Sequence, residues 1–96
     1  MAETTFGKDF PFVEKGEIRE FLVDRDDKEY VWHRDKQDRE IEVIKGQGWQ
    51  FQWENCLPYL LTEGMIFTIK KGEYHRLIKG KTKLICRVIK LSLIHI

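Results

Sequence analysis

"REIEVIKGQGWQFQWE", residues 39–54, alternates in character on both sides of a glycine-containing break. Ile41 and Val43 fall on one side, with Glu40 and Glu42 on the other. Beyond "KGQG" (45–48), Trp49, Phe51 and Trp53 alternate with Gln50 and Gln52. A period of two marks a strand with one face buried. Glycines in the break supply the positive φ of a tight turn. The stretch therefore reads as strand, turn, strand. Parity places Arg39 on the face of Ile41 and Val43, and a buried arginine needs a partner.

The same grammar extends in both directions. "YVWH" (30–33) is rich in branched and aromatic residues and reads as β. Before it lies a charged turn, "DRDDKE" (24–29), and before that Glu17–Val23, a short helix or a strand. "ENCLPYLLTEG" (54–64) is a connection. "MIFTIK" (65–70) is a strand, and after "KG" the chain enters "YHRLI" (74–78). "KGKT" (79–82) leads into "KLICRVIKLSLI" (83–94). No long run keeps a helical period. Short strands separated by turns roughly every eight to twelve residues signal a β-sandwich or barrel.

The 96 residues make one domain, with a core expected over about 17–90. Residues 1–16 read as an extended arm against a sheet edge. Residues 91–96, uncharged and β-prone, read either as a strand added across a dimer interface or as non-native sequence, with the second preferred. Seventeen Lys and Arg against sixteen Asp and Glu leave a net charge of +1, which argues against a nucleic-acid partner. The basic run over 70–90 reads as a solvated strand face. Cys56 and Cys86 form no CxxC pair, and reduced thiols in a cytoplasmic setting are the expectation. No apolar run approaches the ~20 residues of a membrane span. Aromatic residues are 12% of the chain, more than one small core needs, so a homodimer is expected.

At "GMIFTIKKGEYHRLIK" (64–79) the chain resembles the cupin superfamily of small jelly-roll β-barrels. That family's second motif runs Gly, five residues, Pro-x-Gly, two residues, His, three residues, Asn. Gly64, Gly72 and His75 match, while Lys70 and Lys79 replace the proline and the asparagine. The first motif, His-x-His, three or four residues, Glu, six residues, Gly, is altered. With His33 first, Asp35 takes the second place and Glu40 the glutamate place, and Gly46 arrives one residue early. Aligned back from Gly46, the ligand places fall to Trp32, Arg34 and Arg39. The stretches "WHRDKQDREIEV", "GQGWQFQ" and "EYHRLIKG" also look like small single-domain cupins of bacteriophages and marine metagenomes. The resemblance implies an all-β, single small cupin-like jelly-roll barrel of eight to ten strands.

In such a barrel the two motifs are neighbouring hairpins, so His33 and His75 should meet in its mouth. Two imidazoles and a carboxylate suit Fe, Mn, Ni or Zn as a divalent ion. The candidate carboxylates are Asp35, Asp38 and Glu40, and parity turns Glu40 toward water. Arg39, Arg34 and Arg76 are candidates for holding a small, anionic ligand, because guanidinium forks suit carboxylate or phosphate. Gln52, whose direction depends on which way the aromatic stripe faces, is a further ligand-binding candidate. His95 has no partner spacing. Two function classes follow: a metal-dependent enzyme, or a metal-free module that binds a small molecule at a decayed site. No Ser/His/Asp or Cys/His arrangement suggests nucleophilic catalysis.

Overall fold

A computed structural model describes residues 10–13 and 16–94. Eight strands follow in order: β1 Phe10–Val13, β2 Glu17–Phe21, β3 Arg39–Lys45, β4 Gln50–Trp53, β5 Tyr59–Leu60, β6 Ile66–Ile69, β7 His75–Ile78 and β8 Leu84–Ile94. One sheet runs β1-β8-β3-β6, with β2 also on β8, and the other runs β5-β4-β7. All the pairings are antiparallel. The chain is all-β, as the alternation predicts, and its arrangement is the cupin-like jelly roll that the resemblance implies.

β8 organises the larger sheet. Along one side it pairs with β3 from Lys90 back to Ile85, and along the other with β2 from Val88 to Leu84. Its last residues, Leu91–Ile94, pair with Val13–Phe10. Its inward side chains Leu84, Cys86 and Val88 meet Ile41 and Val43 of β3, Phe21 of β2 and Ile69 of β6. The smaller sheet closes this core with Trp49, Phe51, Leu61 and Leu77. Phe51 packs at 5.0 Å from the Phe67 ring and 4.7 Å from the Trp53 ring. The aromatic stripe therefore faces in, and burying such rings supplies much of a small domain's stability.

The β3 parity holds: Ile41 and Val43 are buried, while Glu42 pairs with Arg87 at 3.4 Å on the outer face. A register shift in the β3–β8 ladder falls between Val43 and Lys45, beyond Glu40, so it does not turn Glu40 inward. The stretch before β3 differs from expectation. Residues 30–33, expected as β, do not form a strand. Asp27 caps a short 3-10 helix, Lys28–Tyr30, by accepting from Glu29 N, and only His33 makes a β-bridge. The acidic cap at 27 competes successfully with the β preference of Tyr30 and Val31. The connection 54–64 holds a two-residue strand, β5.

Candidate metal centre

His75 is the first residue of β7, and alternation buries it with Leu77. It is 1% exposed, and its ring lies 5.3 Å from Phe51, nearly parallel. His33 reaches it through the isolated bridge: His33 N donates to His75 O at 3.0 Å, and His75 N donates to His33 O at 2.9 Å. Directly opposed residues of an antiparallel pair project on the same side. The two imidazoles accordingly meet edge to face with centroids 4.3 Å apart.

Each ring is oriented by its own backbone. His33 Nδ1 lies 2.8 Å from Val31 O, and His75 Nδ1 lies 2.8 Å from Glu73 O. A carbonyl only accepts, so Nδ1 carries the proton in both rings, and in the neutral form each Nε2 presents a lone pair. Both Nε2 atoms are buried, and neither has a hydrogen-bond partner. Glu29 Oε1 lies 2.8 Å from His33 Nε2. A carboxylate oxygen and a neutral imidazole nitrogen repel at that distance unless a proton or a metal cation joins them. Glu29, His33 and His75 each offer a ligand atom, and these atoms all lie within 4.8 Å of one another. The group could hold a metal ion. Nδ1–H bonded to a carbonyl with Nε2 free is how metal-binding histidines are commonly held.

Asp35 completes the surroundings. Its side chain is 5% exposed, with Oδ2 3.5 Å from His75 Nε2 and Oδ1 3.8 Å from His33 Nε2. Arg39 Nε lies 3.7 Å from Oδ2, so the inward arginine of β3 faces a carboxylate. Burial lowers the pKa of His75 most strongly. The Glu73 carbonyl opposes that shift, His33 adds to it, and Asp35 and Glu29 oppose it. A cavity of about 360 Å³ opens here, lined by residues including Lys28, Glu29, Arg34, Asp35, Lys36 and Arg39.

The other candidates lie elsewhere. Asp38 accepts from Lys71 N at 2.9 Å and so secures the β6–β7 turn, rather than joining the histidines. Arg76 and Gln52 bond to each other at 2.9 Å, and the Arg76 guanidinium lies over Trp32, on the opposite side of β7 from His75. One position along the strand carries a side chain to the other face, which accounts for Arg76. Arg34 lines the cavity, yet it donates to Tyr74 OH at 2.9 Å and stacks on that ring. Glu29 was absent from the sequence candidates. Its one signal was lying four residues before His33, within a stretch that read as a charged turn. A larger hollow of about 500 Å³ is lined by Trp53, Cys56 and Tyr74 among others. Among the described residues it gathers no comparable group of ligands.

No protein-family model and no curated protein matches the chain. Solved structures do. A protein from Neisseria meningitidis aligns with a TM-score of 0.62 at 18% identity, over 86% of this chain and 84% of that one. A cupin domain from Bordetella pertussis aligns with a TM-score of 0.55 at 17% identity, over 94% of this chain and 99% of that one. Identities this low speak for the fold alone, and they leave the phage and marine resemblance without support. No helix among the described residues is long and apolar enough to cross a membrane. In its architecture, then, the chain is similar to a cupin domain.

Proposed function

We propose that this cupin-fold chain binds a divalent transition metal, Fe, Mn, Ni or Zn, through His33, His75 and Glu29, and holds a small anionic ligand in the adjoining cavity. The observation that carries the reading is the pair of buried Nε2 atoms, that of His75 without a hydrogen-bond partner and that of His33 facing Glu29 Oε1 at 2.8 Å, each with its Nδ1 proton committed to a carbonyl. Two imidazoles and one carboxylate on one side of an ion leave positions for water or ligand. A metal bound there would polarise an oxygen of the ligand or lower the pKa of a bound water. The carboxylate donor is Glu29 in place of the Asp35 or Asp38 expected from the sequence, with Asp35 close enough to adjust toward the ion. Arg39 remains the ligand-facing cation, Arg34 lines the cavity with its guanidinium held on Tyr74, and Arg76 and Gln52 face away.

The 2.8 Å separation of Glu29 and His33 supports a second reading. In it His33 is an imidazolium paired with Glu29, and the site binds its ligand without metal. Thermal unfolding of metal-free protein with and without Zn(II) or Ni(II) separates the two. At a metal concentration one hundred times Kd, binding adds about 2.7 kcal/mol, a rise of roughly 10 °C or more for a domain this size. His75→Gln should abolish that rise. An unchanged Tm in the wild-type protein would favour the ion-pair reading.

A further inference from the structure

We propose that the outer face of the smaller sheet binds a neutral sugar ring, with Trp32 and Tyr74 as stacking surfaces and Glu54 as the acceptor for its hydroxyls. Register builds this face. β4 sets Gln52 against Arg76 and Trp53 against His75, and Glu54 N donates to Tyr74 O at 2.9 Å. On the other side of β7, the antiparallel bridge between His33 and His75 sets Trp32 against Arg76 and Arg34 against Tyr74. Both histidines turn inward, so the residues flanking them turn outward. Two rows result, Gln52–Arg76–Trp32 and Glu54–Tyr74–Arg34. Trp32 and Tyr74 are diagonal neighbours across them, close enough for one guest to touch both rings.

The arginines hold the rings in place. The Arg76 guanidinium lies 4.8 Å from the centre of the Trp32 ring, and its Nε donates to Gln52 Oε1 at 2.9 Å. The Arg34 guanidinium lies 4.4 Å from the centre of the Tyr74 ring and donates to the Tyr74 hydroxyl at 2.9 Å. Both rings nevertheless stay open, Trp32 being 43% and Tyr74 36% exposed. With Glu54 they line a hollow of about 390 Å³, separate from the cavity beside the histidines and within the size range of small-molecule sites. Rings already held on one side lose little freedom when a guest stacks on the other.

The charges select the guest. A guanidinium covers one face of each ring, so a cation stacking opposite would meet two like charges. Glu54, in the hollow itself, repels an anion. A neutral pyranose meets neither penalty. Its axial C–H bonds carry slight positive charge and suit the negative face of an indole or phenol. Its hydroxyls donate and accept, and this face answers both needs: the Glu54 carboxylate accepts, while guanidinium N–H groups donate. The site stands independently of the metal reading.

Titration of the full-length protein with methyl β-D-glucopyranoside, followed by NMR shifts of amide and indole N–H groups, tests this. Binding is expected with a Kd of about 1 mM, with shifts centred on Trp32, Glu54 and Tyr74. Tetramethylammonium and benzoate, the cationic and anionic probes, should bind at least about tenfold more weakly. Trp32→Ala should weaken glucoside binding at least about tenfold, and Glu54→Ala, at an exposed position, by a similar factor. The absence of saturable shifts with the glucoside in the wild-type protein would overturn the proposal. Shifts centred on His33 and Asp35 would overturn it too, by putting the sugar in the other cavity. So would equal binding of either charged probe, or glucoside binding unchanged in both variants.

Discussion

Glu29 Oε1 lies 2.8 Å from His33 Nε2, closer than either oxygen of Asp35 comes to a histidine nitrogen. Glu29 is carried by the 3-10 turn and Asp35 by the bridge segment, so the two carboxylates approach the histidine pair from different pieces of backbone. Glu29→Gln should therefore weaken Zn(II) or Ni(II) binding by about one to two orders of magnitude, the scale of losing a ligand or its close support. Asp35→Asn should weaken it less, while lowering stability by about 1–2 kcal/mol because Arg39 loses its facing charge. Metal titration of both variants checks the order. The reverse ranking would assign the third ligand to Asp35.

Acid should destabilise the metal-free protein through His75. Burial holds its pKa below the ordinary value, so in the fold it stays neutral where the unfolded chain takes up a proton. The stability linked to this group is whole above pH of about 6.5 and declines as pH falls through 6.5 toward the folded-state pKa. Melting curves from pH 8 to pH 5 should show this decline in the wild-type protein and a flatter profile in His75→Gln. Parallel profiles would mean that other groups govern the acid limb. Metal affinity should fall over the same range, since protons compete for Nε2.

Gly80 marks a close approach of two backbones. A Cβ at this position would strike Gln47 O and lie 2.5 Å from both Trp49 N and Trp49 Cδ1. Trp49 is fully buried and donates its indole N–H to Thr82 O, so it has nowhere to move. Gly80→Ala should cost about 2–3 kcal/mol by overpacking. Gly64→Ala meets no atom within 4 Å, and at φ +88° it bears only the backbone penalty, about 1 kcal/mol. Urea unfolding of the two variants measures the difference, and equal losses would show that the packing around Trp49 yields.

The sheet was legible because alternation and burial obey one rule. Ile41, Val43, Trp49 and Phe51 show period two in the sequence and all point into the core. The meeting of His33 and His75 followed from their places before two strand-turn-strand units. Glu29 was hidden because its position depends on a three-residue 3-10 helix, and that helix depends on one capping bond from Asp27. Asp38 looked available as a ligand because no pattern reveals that its carboxylate holds Lys71 N, thirty-three residues away. Local periodicity specifies which face a side chain takes. It does not specify which distant backbone group will claim a polar atom.

The chain end offers a test divided at one residue. Leu91 N donates to Asp38 O at 2.9 Å, and Gln37 Nε2 reaches Leu91 O at 3.5 Å. Leu91 thus secures the 35–38 segment that walls the cavity, whereas residues 92–94 pair only with Phe12, Pro11 and Phe10. Pairing of β3 with β8 already ends at Lys90. Deleting residues 92–96 should shift Tm by no more than a few degrees and leave metal affinity unchanged, as expected if the end is not native sequence. Deleting 91–96 should lower Tm further and weaken metal affinity, because the cavity wall loses its bond to β8. Two internal hydrogen bonds are worth about 1–3 kcal/mol together, the upper limit of that extra loss. A drop of several degrees on removing 92–96 alone would sink the non-native reading, because it would make the pairing of Phe10, Pro11 and Phe12 with residues 92–94 part of what holds the domain together.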